Sequence, residues 1–217
     1  VHIDYLLLSL QISKLKGVSK DVFDIIIKNS TPEAKEIFNS FYLKEAIISK
    51  NKYLIEYLLK EKEPDEDCLF EAVKTGDIEI VNMILNKNSE SSFINQVSNS
   101  GTAINLSVKS DFYEIFKRLL SIPGIDLNLY DNNYRTPLIN AIIGSKLNMM
   151  NDILNVSDKE NKSFQKQLDQ ASKEFLKLAS NRNLDEINNE KDFLDIYKKL
   201  IEYEFLDVNQ YVENHSL

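Results

Sequence analysis

Residues 122–138, with the sequence IPGIDLNLYDNNYRTPL, decide the fold. Asp131, Asn132 and Asn133 are consecutive here, and such residues favour turns because their short side chains bond to nearby backbone groups. Thr136 and Pro137 follow; a threonine caps the start of a helix, and a proline is preset for the first helical turn. The stretch therefore predicts a turn followed by a helix that starts at Pro137.

A repeating pattern surrounds this stretch. Four segments of equal length align without gaps: AIISKNKYLIEYLL (46–59), AVKTGDIEIVNMIL (72–85), SVKSDFYEIFKRLL (107–120) and AIIGSKLNMMNDIL (141–154). A large apolar residue stands three positions ahead of each segment, so a large and a small side chain share one face of a short helix. A polar break then turns the chain into a second helix with apolar residues at helical spacing. Such two-helix units bury their apolar faces only when they stack on one another.

The best of these units resembles the ankyrin repeat. The resemblance lies in the Gly-x-Asp-x-Asn lead-in at 124–128, the turn that begins at Asp131, and the Thr-Pro-Leu-x-x-Ala helix start at 136–141. It implies an all-α solenoid of paired antiparallel helices with one or two short β-hairpin connections. We expect a single solenoid over 1–217, with atypical helical units at 1–42, recognisable repeats at 43–154 and a degenerate final repeat with an insertion at 155–217.

The sequence departs from the family pattern at several places. Ile139 replaces the consensus His, and Tyr134 holds the hairpin Gly position, so we expect a neighbouring Asn to take the left-handed conformation. Between Leu59 and Leu69 there is no room for a full hairpin. Further helices are predicted near residues 3–15, 20–29 and 33–49, and the last inner helix is placed at Leu176-x-x-Ala179.

No pattern of catalytic residues is present in the sequence. His2 and His215 stand at opposite ends of the chain without a partner at metal-ligand or triad spacing, and the 5 glycines are scattered. Cys68 follows three acidic residues, which would raise the pKa of its thiol, and it is expected to be a buried apolar side chain. We therefore expect no enzyme activity, no cofactor and no metal.

Charge and cysteine content limit the class of partner. The net charge of −8 disfavours nucleic acid and anionic membranes, and the first apolar run is far shorter than the roughly 20 residues that span a bilayer. One cysteine excludes an internal disulfide and indicates a reducing compartment or indifference to redox; we expect the cytoplasm, with the nucleus as the alternative. We expect a monomer that binds another protein.

The resemblance implies a curved stack whose hairpin tips and inner helices line a concave binding face. The implied tip contacts are Asn132, Asn133 and Arg135, with Ser98 and Asn99 one unit earlier. Tyr134 lies at the same tip, either as a further contact or packed on the neighbouring hairpin. The implied inner-helix contacts are Ile143, Gly144, Lys109, Ser110, Lys74, Thr75, Ile48 and Ser49. Tyr134 and Arg135 rank first because tyrosine and arginine dominate interface hot spots.

Two other functions stay open at this stage. The chain could be an accessory repeat region of a larger enzyme or membrane protein, which flanking sequence would reveal. A stand-alone enzyme would need a deep pocket with converging ionisable groups.

Overall fold

The computed structural model describes residues 20–33, 42–157, 162–181 and 190–202. Chain contacts divide the protein into two compact units, Val1–Gln96 and Val97–Leu217, each described by itself below. The helices of the first unit are α1 (Lys20–Asn29), α2 (Leu43–Ile48), α3 (Lys52–Glu61), α4 (Glu66–Thr75), α5 (Ile78–Lys87) and α6 (Ser91–Ile94). Those of the second are α7 (Ala103–Lys109), α8 (Tyr113–Leu120), α9 (Pro137–Ile143), α10 (Leu147–Val156), α11 (Lys162–Asn181) and α12 (Glu190–Glu202).

The first unit contains two helix pairs, α2 with α3 and α4 with α5. The inner helices α2 and α4 pack on each other, and so do the outer helices α3 and α5. Helix α1 adds to this core through Phe23, whose ring lies edge-on against Tyr53 and Tyr57 with centroid distances of 5.8 and 5.3 Å. The connection between the pairs is short, as expected, because α3 ends at Glu61 and α4 begins at Glu66.

The second unit repeats this arrangement with the pairs α7 and α8, and α9 and α10, and adds α11 and α12. Its inner helices follow one another in the packing order α7, α9, α11, while α8 packs on α10 and α10 on α12. Within the described ranges the connecting turns contain one isolated bridge, between Ser98 and Gly101, and no longer strand. The predicted all-α repeat of paired helices is confirmed.

The small residue of the repeat is buried in every described copy. Ala46, Ala72, Ser107 and Ala141 are all at most 1% exposed, and the large residue three positions before each is also buried. A side chain of one to two heavy atoms lets a neighbouring helix approach closely, and the Ser107 hydroxyl donates to Ile104 O at 2.8 Å. The predicted register of large and small residues is therefore confirmed within each unit.

The break between paired helices has one backbone conformation in all four copies. The fourth residue after the small one has a left-handed φ at Lys50 (56°), Gly76 (69°), Asp111 (60°) and Ser145 (55°). In the first copy, Lys50 N–H donates to Ile47 O and Asn51 N–H to Ala46 O, which is the Schellman arrangement at a helix C-terminus. In the second copy, Asp77 follows Gly76 and caps the next helix, α5, by accepting from Glu79 N–H and Ile80 N–H.

Some predicted helix bounds differ from the structure. The helix at 20–29 is confirmed, whereas 3–15 lies outside the described residues. The helix predicted over 33–49 is interrupted at Tyr42, because α2 begins at Leu43 with Tyr42 as its N-cap, and residues 34–41 lie outside the described ranges. Helix α11 includes the predicted pair Leu176 and Ala179, but it starts at Lys162. The residues of α11 that are described as buried lie about two turns before that pair: Gln167, Leu168, Ala171 and Ser172.

The left-handed backbone shared by Gly76 and Ser145 predicts that matched substitutions at these two positions change the free energy of unfolding in opposite directions. Gly76→Ala should lower the free energy of unfolding by about 1 kcal/mol, because a Cβ is strained at positive φ. Ser145→Gly should leave it unchanged or raise it by up to about 1 kcal/mol, because removal of that strain exceeds the added freedom of glycine in the unfolded chain. Urea denaturation followed by circular dichroism measures both; a loss of stability in Ser145→Gly would contradict the common geometry.

Candidate functional site

Tyr134, in the turn that precedes α9, is the most exposed large hydrophobic residue among the described residues. This turn, residues 130–135, is called the second-unit tip. It is closed by Asp131 N–H, which donates to Arg135 O at 3.0 Å, and by Tyr134 N–H, which donates to Asp131 O at 2.9 Å. Tyr134 is 76% exposed and has a φ of 57°. The expectation that a neighbouring Asn adopts the left-handed conformation is therefore wrong, since Tyr134 takes it at the place that glycine holds in the family.

The buried carboxylate of Asp131 holds the second-unit tip in place through hydrogen bonds. This carboxylate has 0% side-chain exposure, and one oxygen, Oδ1, accepts from Asn133 N–H at 2.9 Å and from Arg135 N–H at 3.0 Å. The other oxygen, Oδ2, accepts from the Asn140 amide at 3.1 Å and from the Lys109 ammonium at 3.2 Å. Burial by itself would raise the pKa of this carboxyl group, but the hydrogen bonds outweigh burial and hold the pKa below its ordinary value.

Two asparagines connect the tip to the inner helices. Asn105 on α7 donates to Leu129 O at 3.0 Å, and its side-chain oxygen accepts from the Asn140 amide at 3.2 Å. Asn105 lies one repeat before Ile139, at the same register position as the consensus His. A polar side chain at this position therefore bonds to the turn in the earlier repeat. A Cβ built on Gly101 would lie 2.8 Å from Asp131 Cβ, so this position has room only for glycine.

Helix α11 binds the flank of the tip. Arg135 Nε lies 2.9 Å from Glu174, the Gln170 amide donates to Tyr134 O at 3.3 Å, and the Gln167 amide donates to Asn128 Oδ1 at 2.7 Å. The Arg135 guanidinium is thus half-buried and engaged within the chain. No local pattern in the sequence indicates these contacts, since the partners lie 36 to 39 residues apart.

The other predicted contacts of the second unit divide by exposure. Asn132, Asn133 and Asn99 are exposed, and Ser98 is half-buried with its hydroxyl donating to Gly101 O at 3.0 Å. On the inner helices, Gly144 is exposed, while Ser110 and Ile143 are half-buried. Lys109 is an exposed residue whose ammonium is held by Asp131.

The predicted contacts of the first unit lie on α2 and α4. Ile48 is 50% exposed, which is high for an isoleucine on a helix face. Lys74 is exposed and pairs with Glu71 of its own helix at 2.9 Å. Ser49 and Thr75 are half-buried and donate their hydroxyl groups to Ala46 O and Ala72 O.

The first unit also has an open concavity beside the short α3–α4 connection. It is lined by Pro64, Asp65, Asp67, Asn88, Ser92, Phe93 and Gln96. Both carboxylates have structural partners: Asp65 caps α4 by accepting from Cys68 N–H at 3.2 Å, and Asp67 pairs with Lys44 at 2.7 Å. The hydrogen bond from Lys44 lowers the pKa of Asp67, which keeps that carboxyl group ionised rather than poised as a general acid.

Apart from these two regions, the part of the chain that the structure describes has few residues suited to catalysis or metal binding. Cys68 is buried, and burial followed by its hydrogen bond to Asp65 raises the pKa of the thiol to about 12, as the sequence predicted in direction. No group of three or more His, Cys, Asp or Glu residues there is placed to hold a metal ion. His2 and His215 lie outside the described ranges. None of the described helices combines the length and the apolar character needed to cross a bilayer.

Comparison with known families identifies the repeat. A model of ankyrin repeats in three copies matches residues 43–131 and 69–163, which together cover more than half of the chain. The chain therefore belongs to the ankyrin repeat family. Repeats of this family are generally protein–protein interaction modules, and domains built from them are typically non-catalytic. No curated protein matches the chain.

The anchoring role of Asp131 predicts a pH-dependent effect of Asp131→Asn. Because the folded-state pKa lies below the unfolded-state pKa, the carboxylate stabilises the second unit above about pH 4, and this contribution is lost as the pH falls through the folded-state pKa. At pH 7 the variant should lose about 2–4 kcal/mol of unfolding free energy, and at pH 3 clearly less. Urea denaturation followed through the NMR signals of α9 measures both values.

The matched control is Asp169→Asn, because Asp169 is an exposed carboxylate that pairs with Lys173 at 2.8 Å on the surface of α11. Its substitution should cost less than about 1 kcal/mol at either pH. Equal losses for Asp131→Asn at pH 7 and pH 3 would contradict a stabilising role of the ionised carboxylate.

Proposed function

We propose that this chain is a non-catalytic protein-binding module that docks its partner through the second-unit tip, with Tyr134 as the main contact. The observation that carries the proposal is the combination of strain and exposure at Tyr134. A bulky residue at positive φ is unfavourable by roughly 1–2 kcal/mol relative to glycine. Such conformations persist where they serve a function, and the aromatic ring here is turned to solvent, 76% exposed, rather than to the core.

The chemistry of the tip suits protein recognition. Tyrosine brings a large amphipathic ring with only two side-chain torsions, so its ordering on binding costs little entropy. Asn132 and Asn133 are exposed beside it and offer amide donors and acceptors to a partner backbone. The closed turn is already ordered by its internal hydrogen bonds, and this preorganisation raises affinity by lowering the cost of binding.

The remaining predicted contacts take secondary roles in the proposal. In the first unit, Ile48 on α2 gives a partner an apolar contact and Lys74 on α4 a charged one. In the second unit, Asn99 and Ile143 extend the contact area, whereas Arg135 supports the tip through Glu174. The proposed partner is a protein and not a nucleic acid, because the net charge of −8 opposes a polyanion. We further propose that the protein is a monomer in the cytoplasm or the nucleus.

Substitution of Tyr134 by glycine separates binding from stability. Tyr134→Gly should leave the free energy of unfolding unchanged or raise it by up to about 1 kcal/mol, because it relieves the left-handed strain. The same change should weaken partner binding by tenfold or more, as expected for a hot-spot tyrosine. Affinity capture with quantitative mass spectrometry identifies partners of the native protein, and titration with a purified partner then gives the affinities.

Two controls interpret this result. Tyr134→Ala removes the ring but keeps the strained backbone, so it should weaken binding without stabilising the fold. Tyr130→Ala removes an exposed ring four residues earlier that has no left-handed backbone. If every captured protein binds native protein and Tyr134→Gly equally, the tip is not the docking site.

A further inference from the structure

We infer that Asp131 is the positioning residue of the second-unit tip and that it couples Lys109, on the inner-helix face, to Tyr134. The biological meaning of this coupling rests on the proposed docking function, but its physical basis does not. The resemblance to ankyrin repeats places the tip and the inner-helix residues on one concave face but indicates no bond between them. The structure joins them through one buried carboxylate.

The coupling follows from how the two carboxylate oxygens are used. Oδ2 faces the inner helices, where it accepts from Lys109 at the end of α7 and from Asn140 on α9. Oδ1 faces the tip, where it accepts from the N–H groups of Asn133 and Arg135. These two N–H groups belong to the residues on either side of Tyr134. The left-handed conformation of Tyr134 is therefore held between two bonds to the same oxygen.

Lys109 is the solvent-accessible residue of the network that joins the inner-helix face to Tyr134 through Asp131. Its side chain is 34% exposed, whereas that of Asp131 has 0% exposure, so the ammonium covers the buried carboxylate from the solvent side. A buried carboxylate stays ionised only while enough donors compensate for lost hydration. Removal of the ammonium weakens this compensation, and the carboxylate then moves toward water or loses its charge. Either change weakens the two bonds that hold the tip.

A partner that binds Lys109 therefore affects the conformation of Tyr134, and a partner that binds Tyr134 affects Lys109. An ammonium group has three donors, and Lys109 uses one of them on Asp131, which leaves donors for a carbonyl or carboxylate oxygen of a partner. A partner oxygen that binds Lys109 in place reinforces the tip, whereas a strong anion that draws Lys109 away from Asp131 loosens it. The partner that fits places an acceptor oxygen at Lys109 without removing its bond to Asp131.

The chain supplies a matched position without this connection. Lys74 stands two residues after the small residue of its repeat, as Lys109 does, and is likewise exposed at the end of an inner helix. Its ammonium pairs with Glu71 of the same helix at 2.9 Å rather than with a turn. Substitution of Lys74 thus removes the same charge from the equivalent register while leaving Asp131 unchanged.

Amide hydrogen exchange in the full chain, measured by NMR without any partner, tests the coupling. The probes are the N–H groups of Asn133 and Arg135, and the α9 amides report overall stability. Lys109→Met should speed exchange at both probes by about fivefold or more relative to α9, the effect of roughly one hydrogen bond. Lys109→Arg, which keeps the cation, should restore slow exchange, and Lys74→Met should change neither probe.

Asp131→Asn is the stronger variant, because one side of the new amide must present its NH₂ group either to the Lys109 and Asn140 donors or to the tip N–H groups. It should speed exchange at the probes by about tenfold or more. Should it fail to fold, Lys109→Met still decides the matter, since Lys109 lies at the surface. Unchanged exchange at Asn133 and Arg135 in Lys109→Met would overturn the inference.

The proposed function and the coupling can fail separately. Accelerated exchange in Lys109→Met together with Tyr134-independent partner binding would support the coupling and reject the docking role of the tip. Tyr134-dependent binding with unchanged exchange in Lys109→Met would do the reverse.

Discussion

The close approach of neighbouring inner helices is the constraint on which the rest of each unit depends. It is possible because Ala46, Ala72, Ser107 and Ala141 stand at the crossings, where a larger side chain would push the helices apart. Once inner helices lie this close, the turns that enter them are brought side by side as well. The connection at 128–136 and the side chains of α7 and α9 then meet in a space that polar groups fill: the Asn140 amide donates to Asn105 and Asp131, and the Asn105 amide donates to Leu129 O.

The polar cluster of Asn105, Asp131 and Asn140 fixes the register between the turn and the helices of the second unit more strictly than apolar contacts do. Leucine and isoleucine faces tolerate small sliding motions, whereas a shared carboxylate has its bonds only in one register. The cluster therefore fixes the turn relative to two helices at once. In the first unit, the four-residue connection at 62–65 leaves no turn of this kind, and Asp65 serves only the start of α4 and the Cys68 thiol.

Much of the fold was predictable from the sequence, because it depends on local periodicity. The two-helix units, the buried large and small residues, the helix start after Thr136 and the absence of a full hairpin before Leu69 all follow from short patterns. The backbone at Tyr134 was assigned to the wrong residue, since propensity favours Asn at positive φ but turn closure requires it one position later. The contacts of Arg135 with Glu174 and of Asp131 with Lys109 were unpredictable, because tertiary packing alone brings these residues together.

The bonds of Asp131 also bear on the order in which the second unit assembles. Asn105, Asp131 and Asn140 come from two successive repeats, so their bonds form only after α7 and α9 have docked. Helical hairpins that rely on local contacts form quickly, and contacts across longer stretches of chain come later. The bonds that attach the tip to α7 should accordingly be among the last to form on the folding pathway, whereas the bonds within residues 131–135 are local. A nascent second unit would then form its helices first and fix the position of the 130–135 turn against α7 only when both repeats are in place.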